Sequence, residues 1–74
     1  MSSLNNIKVG AQARIASLLS IGLLKERMMA LGFTKGALIE VVRKGPKDNL
    51  TLYHIRGTMI ALRKEESDLI MIDI

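Results

Sequence analysis

Apolar and polar positions repeat along this chain with two different periods, and the period sets the element expected at each place. Ser2 to Asn6 shows no repeat and reads as a loose start, and Val9-Gly10 suggests a turn. From Ala11 to Ala16, Ala11, Ala13 and Ile15 fall on one side and Gln12 and Arg14 on the other. That period of two predicts a short strand. Between Gly22 and Leu31 the period lengthens: Leu24, Met28 and Leu31 are spaced i, i+4 and i+7. Those positions share one face of a helix of about three turns. Ser20 or Gly22 is the candidate cap at its start. Gly32 suits the left-handed position that closes a helix, because it has no Cβ to clash there.

Ala37 to Lys44 holds Leu38, Ile39, Val41 and Val42, a β-branched run typical of a strand. Gly45-Pro46-Lys47-Asp48-Asn49 is a dense turn signal. Thr51, Tyr53 and Ile55 then alternate with Leu52, His54 and Arg56, and Arg56-Gly57 fits a tight hairpin turn. Thr58 to Leu62 reads as a further strand, Lys64 to Asp68 as a polar break of about one 3₁₀ turn. Leu69 to Ile74 reads as the last strand, with Ile70, Ile72 and Ile74 on one face. The pattern is mainly β: five short strands, with one helix between the first and second. Closely spaced turns between short strands imply a small barrel or sandwich, and closure removes exposed strand edges. The alternation assigns Tyr53, Ile55, Ile60, Leu62, Ile70 and Ile72 to the core.

Length and composition narrow this picture. The 74 residues make one domain, 1–74, with a thin core. Hydrophobic residues form 49% of the chain but aromatics only 3%, so the core is aliphatic. There is no cysteine, which excludes disulfides, thiolate metal sites and cysteine nucleophiles. No apolar run approaches the ~18 residues of a membrane span. The Leu- and Ile-rich stretch from Ile15 to Leu24 is broken by Ser17, Ser20 and Gly22 and has no basic segment before it, unlike a signal peptide. A soluble cytoplasmic protein is expected. The net charge of +4 and pI near 9.9 raise a nucleic-acid reading. The basic residues are scattered, however, and Phe33 and Tyr53 are the only aromatics, a poor stacking platform for bases.

The order of segments resembles the FeoA family over nearly the whole chain. The resemblance is carried by Arg27-Met28-Met29-Ala30-Leu31-Gly32-Phe33-Thr34-Lys35-Gly36, then Ile39-Glu40-Val41-Val42, then Thr51-Leu52-Tyr53-His54-Ile55-Arg56-Gly57, then Ile60-Ala61-Leu62-Arg63, with Ile70 and Ile72 closing the pattern. Lys35 stands where the family usually has Pro, Asp48-Asn49-Leu50 replaces its Gly-Asp-Pro turn, and Ser67 occupies its small-residue position. The resemblance implies a small SH3-like five-stranded β-barrel with an inserted helix. It also implies a non-enzymatic accessory role in ferrous iron uptake beside the membrane transporter FeoB, whose cytoplasmic portion carries a GTPase domain.

The residues themselves supply no catalytic constellation. There is no Gly-rich phosphate loop, and His54 is the only histidine, so no Ser-His-Asp arrangement is supported. Glu65-Glu66 reads as a solvated turn. Ferrous iron favours three or more imidazole and carboxylate ligands. His54, on the outward phase if Tyr53 faces inward, is the one candidate ligand and makes an adventitious divalent-metal site rather than a dedicated one. No cofactor is required.

The segment Leu18 to Phe33 holds more apolar residues than one helical stripe can bury. Either the loop before the helix tucks beneath it, or the surplus forms a docking patch. In the docking reading Leu19, Leu23 and Met29 make the contact, with Arg56 and Arg63 at the rim. The partner is the FeoB cytoplasmic GTPase region or a second copy through the helix, and the membrane is reached only indirectly. The alternatives are an SH3-like nucleic-acid-binding module and a metal-responsive regulatory module using His54.

Overall fold

The computed structural model describes residues 2–73, with the backbone alone at residue 48. The strands are β1 (Ser2–Ser3), β2 (Gln12–Leu18), β3 (Leu38–Lys44), β4 (Leu50–Ile55), β5 (Thr58–Arg63) and β6 (Ile70–Asp73). Helix α1 (Gly22–Ala30) lies between β2 and β3, and a single helical turn, α2 (Lys64–Ser67), lies between β5 and β6. Short 3₁₀ turns occupy Leu4–Asn6 and Pro46–Asp48. All pairings are antiparallel, in the order β1-β6-β2-β3-β4-β5. No described helix is long and apolar enough to cross a membrane.

The mainly β architecture agrees with the alternating pattern, but the strands number six rather than five. Ser2–Ser3, expected as a loose start, pair with Ile72 and Met71 of β6. Helix α1 therefore follows the second strand. The turn after β1 carries Leu4 into the core, fully buried, with Ile7 close behind. Lys44 reinforces this end by donating from Nζ to the Asn5 carbonyl at 3.3 Å. The break after β5 is α-helical rather than 3₁₀. The expectation for Ile74 falls outside the described residues.

The strand interiors bury alternate side chains as their period requires. Tyr53 on β4 is opposite Val41 on β3 and Ile60 on β5, and Ile15 on β2 is opposite Ile72 on β6. Tyr53, Ile55, Leu62, Ile70 and Ile72 are buried as expected, whereas Ile60 is only partly buried and packs against the rim of the core. Irregular register between Ile15 and Ser17 on β2 and between Val41 and Arg43 on β3 marks bulges, which sharpen the local bend a small curved sheet needs.

Two linked side-chain hydrogen bonds meet at Ser67. The Tyr53 hydroxyl donates to Ser67 Oγ at 2.9 Å, and Ser67 Oγ donates to the Arg63 carbonyl at 3.3 Å. Burial raises the Tyr53 pKa, and the Ser67 hydrogen bond opposes that rise only in part. This link explains why a small hydroxyl at position 67, itself fully buried, anchors α2 to the sheet. Glu66, assigned above to a solvated turn, accepts the Arg63 backbone N–H at 2.8 Å and helps close the same turn.

Candidate docking surface

Helix α1 begins without a side-chain cap. Ile21 takes the N-cap position, so neither Ser20 nor Gly22 acts as expected. Ser20 turns inward and is buried. The C-terminus behaves as expected. Gly32, at φ 105°, occupies the left-handed position. Its N–H bonds the Met29 carbonyl at 3.0 Å, and the Phe33 N–H bonds the Met28 carbonyl at 3.0 Å. This is the Schellman closure that a glycine after the helix permits.

That closure alters the predicted apolar stripe. Met28 is the one buried residue of α1, and Leu24 is partly buried against the core. Leu31 leaves the stripe with 47% exposure. The helix ends at Ala30 and the chain turns at Gly32, and Phe33 just beyond is fully buried. The loop before α1 does not tuck beneath it. Ile21 is 83% and Leu23 71% exposed, and Leu19 and Met29 are also exposed. The structure thus leaves Leu19, Leu23 and Met29 on the surface.

The two arginines assigned to the rim are not brought together. They flank β5 at opposite ends, a separation of about 20 Å along a strand of this length. Arg56 sits at φ 49° beside Gly57 at φ 77°, the two-residue type I′ geometry whose twist matches that of the flanking strands. Its side chain reaches across to the loop between α1 and β3. Arg56 Nε donates to the Gly32 carbonyl at 3.3 Å, and Nη2 donates to Thr34 Oγ1 at 2.9 Å. A Cβ at Gly32 would stand 3.0 Å from Arg56 Cδ, so glycine there serves both the helix exit and the arginine's approach. Arg63 is exposed at the start of α2.

Between β2 and α1 lies an open cleft of about 320 Å³. Leu18, Met29 and Phe33 supply its apolar wall, with Ala16 beside them; Lys25, Lys35, Ser17 and Thr34 supply its polar groups. On the other side of α1, a hollow of about 230 Å³ is bordered by Leu24, Leu31 and Ile60 and carries both Arg27 and Glu66. A third apolar surface was not foreseen. Leu38, Leu50 and Met59 are exposed on the β3-β4-β5 sheet.

His54 is exposed, with Nδ1 4.0 Å from Glu40 Oε1 on the neighbouring strand. Among the described residues no group of three or more His, Cys, Asp or Glu side chains converges on one point. The pair offers two ligands, short of the three or more a ferrous site favours.

The strand order and the helix inserted after β2 define a small SH3-like fold. The chain belongs to the FeoA domain family, whose model matches residues 2–74. It is similar to iron(II) transport protein A from Clostridium thermocellum, with 35% identity and a TM-score of 0.92 over 97% of this chain and 44% of that one. This chain thus spans less than half the length of that relative. FeoA protein from Chlorobium tepidum is 26% identical with a TM-score of 0.90, over 97% of this chain and 69% of that one. FeoA of Stenotrophomonas maltophilia, a prokaryotic SH3-domain protein solved in complex with zinc, is 26% identical with a TM-score of 0.87, over 99% and 91% of the two chains. Among curated proteins none is significantly similar in sequence.

Proposed function

We propose that this chain is a cytoplasmic accessory protein of ferrous iron uptake that docks on the cytoplasmic GTPase region of the FeoB transporter. Family membership supports the iron-transport setting. So does the likeness to an iron(II) transport protein and to a protein suggested as a ferrous iron transport activating factor. The observation that carries the docking mode is the exposure of Leu19, Ile21, Leu23 and Met29 on one loop and helix. Clustered apolar exposure of this kind marks interaction surfaces, and methionine adapts to a partner's contour. The reading requires no cofactor and no catalytic group in this chain. His54 with Glu40 is an incidental metal contact in it.

The test is a titration of isotope-labelled protein with the FeoB cytoplasmic region, followed by backbone amide signals. Perturbation centred on residues 19–31 is the expected result. A footprint on the outer β3-β4-β5 face, or none at all, overturns the α1 surface as the contact. Retardation of the protein by nucleic acid that weakens steeply with salt would instead favour phosphate binding.

A further inference from the structure

The cleft between β2 and α1 combines two features that the rest of the α1 surface keeps apart. Its wall is apolar: Leu18, Met29 and Phe33 converge there. Its rim is basic, because Lys25 from α1 and Lys35 from the loop after it both border the same hollow. Among the described residues the one ion pair is that of His54 with Glu40, so neither lysine is neutralised by a neighbour. The hollow across the helix differs, since it is bordered by one charge of each sign, Arg27 and Glu66.

The cleft's polar edge is also held in place. Thr34 Oγ1 is the acceptor for Arg56 Nη2 at 2.9 Å, and the same arginine binds the Gly32 carbonyl. This ties the segment bearing Thr34 and Lys35 to the β4–β5 hairpin. A rim positioned before binding loses less conformational freedom on complex formation.

We propose that the cleft between β2 and α1 receives an acidic segment of a partner protein, seating one apolar side chain between Leu18 and Met29 and pairing flanking carboxylates with Lys25 and Lys35. Charge complementarity selects the occupant: an apolar slot under two cations discriminates against basic and neutral segments. The proposal rests on the docking reading in taking α1 as the contact face, and it adds the chemistry of what is contacted.

The experiment uses a fluorescein-labelled Glu-Asp-Leu-Glu-Asp peptide as probe and reads its anisotropy against the intact protein. Lys25→Glu combined with Lys35→Glu is expected to weaken binding about tenfold or more, as two exposed attractions become repulsions. Lys64→Glu, on α2, is expected to leave binding unchanged. Replacing the central leucine of the peptide by glycine, or raising salt from about 50 mM to about 500 mM, should also weaken binding. Three results would overturn the proposal: affinity insensitive to the double charge reversal, equal affinity for the glycine peptide, or displacement of the probe by a second copy of the protein or by oligothymidylate. Because the probe contains no FeoB, an α1 footprint that survives with the FeoB region would leave the docking reading standing while the cleft proposal failed.

Discussion

The barrel interior and helix α1 draw on the same aliphatic residue types and dispose of them in opposite ways. In the barrel, Ile15, Ile39, Ile55, Ile70 and Ile72 are essentially inaccessible. In α1, one residue of nine is buried, and Leu23 and Met29 face outward. Burying aliphatic surface contributes roughly 25 cal/mol per Å², so stability is concentrated in the strands and little depends on the outer helix. The comparison separates residues that hold the fold from residues available to a partner. It also says where a truncation should be felt in melting and where only in binding.

The largest effect belongs to the interior. Leu62, 3% exposed, should cost about 2–5 kcal/mol on truncation to Ala, because the lost packing leaves a cavity. A domain this small has only about 5–15 kcal/mol to lose. Circular-dichroism melting of Leu62→Ala reads this directly, and an unchanged midpoint would break the assignment of the barrel as the stabilising region.

A smaller effect is expected at Tyr53. Tyr53→Phe removes the hydrogen bond to Ser67 while keeping the ring, at a cost of about 1 kcal/mol. The pH dependence sharpens the point. Burial raises the Tyr53 pKa in the fold, so the folded state favours the neutral phenol. Its contribution is fully present below the unfolded value near ~10 and is lost as pH rises through the folded value. Denaturant midpoints at about pH 8 and about pH 11 should therefore converge more for Tyr53→Phe than for the unaltered protein. Equal slopes would mean that the phenol is not held neutral by burial.

Arg56 lies between the two regions and should matter less again. Arg56→Asn keeps a residue that tolerates positive φ but removes both bonds to the α1–β3 loop. A loss of about 1 kcal/mol or less is expected, because the bonds are exposed, with faster amide exchange over residues 32–36. Unchanged exchange there would show that the arginine does not restrain the loop.

The legible part of the fold was the part with a period. Thr51, Tyr53 and Ile55 announced their inward face by alternation, and Gly32 announced a helix end by its backbone freedom. Ser2–Ser3 did not, because two residues carry no period and their pairing with β6 is purely long-range. Leu4 was missed for the same reason. Leu31 lies outside the stripe because helical spacing carried it one residue past the point where the helix closes, and Phe33 beyond the turn is buried instead. At the candidate surface, the surplus of apolar residues was legible by counting. The role of Arg56 as a clamp was not, since it depends on a hairpin folding back over a loop more than twenty residues away. The basic cleft was equally invisible, because Lys25 and Lys35 meet only once α1 is laid beside β2.

The central claim is that α1 is a contact face rather than part of the core. It is tested most directly by combining Leu23→Ala with Met29→Ala and measuring melting midpoint and affinity for the FeoB cytoplasmic region on the same preparation. Stability within about 0.5 kcal/mol of the unaltered protein and binding weakened about tenfold or more are expected. A collapse in the midpoint, or full stability with full binding, would contradict the claim.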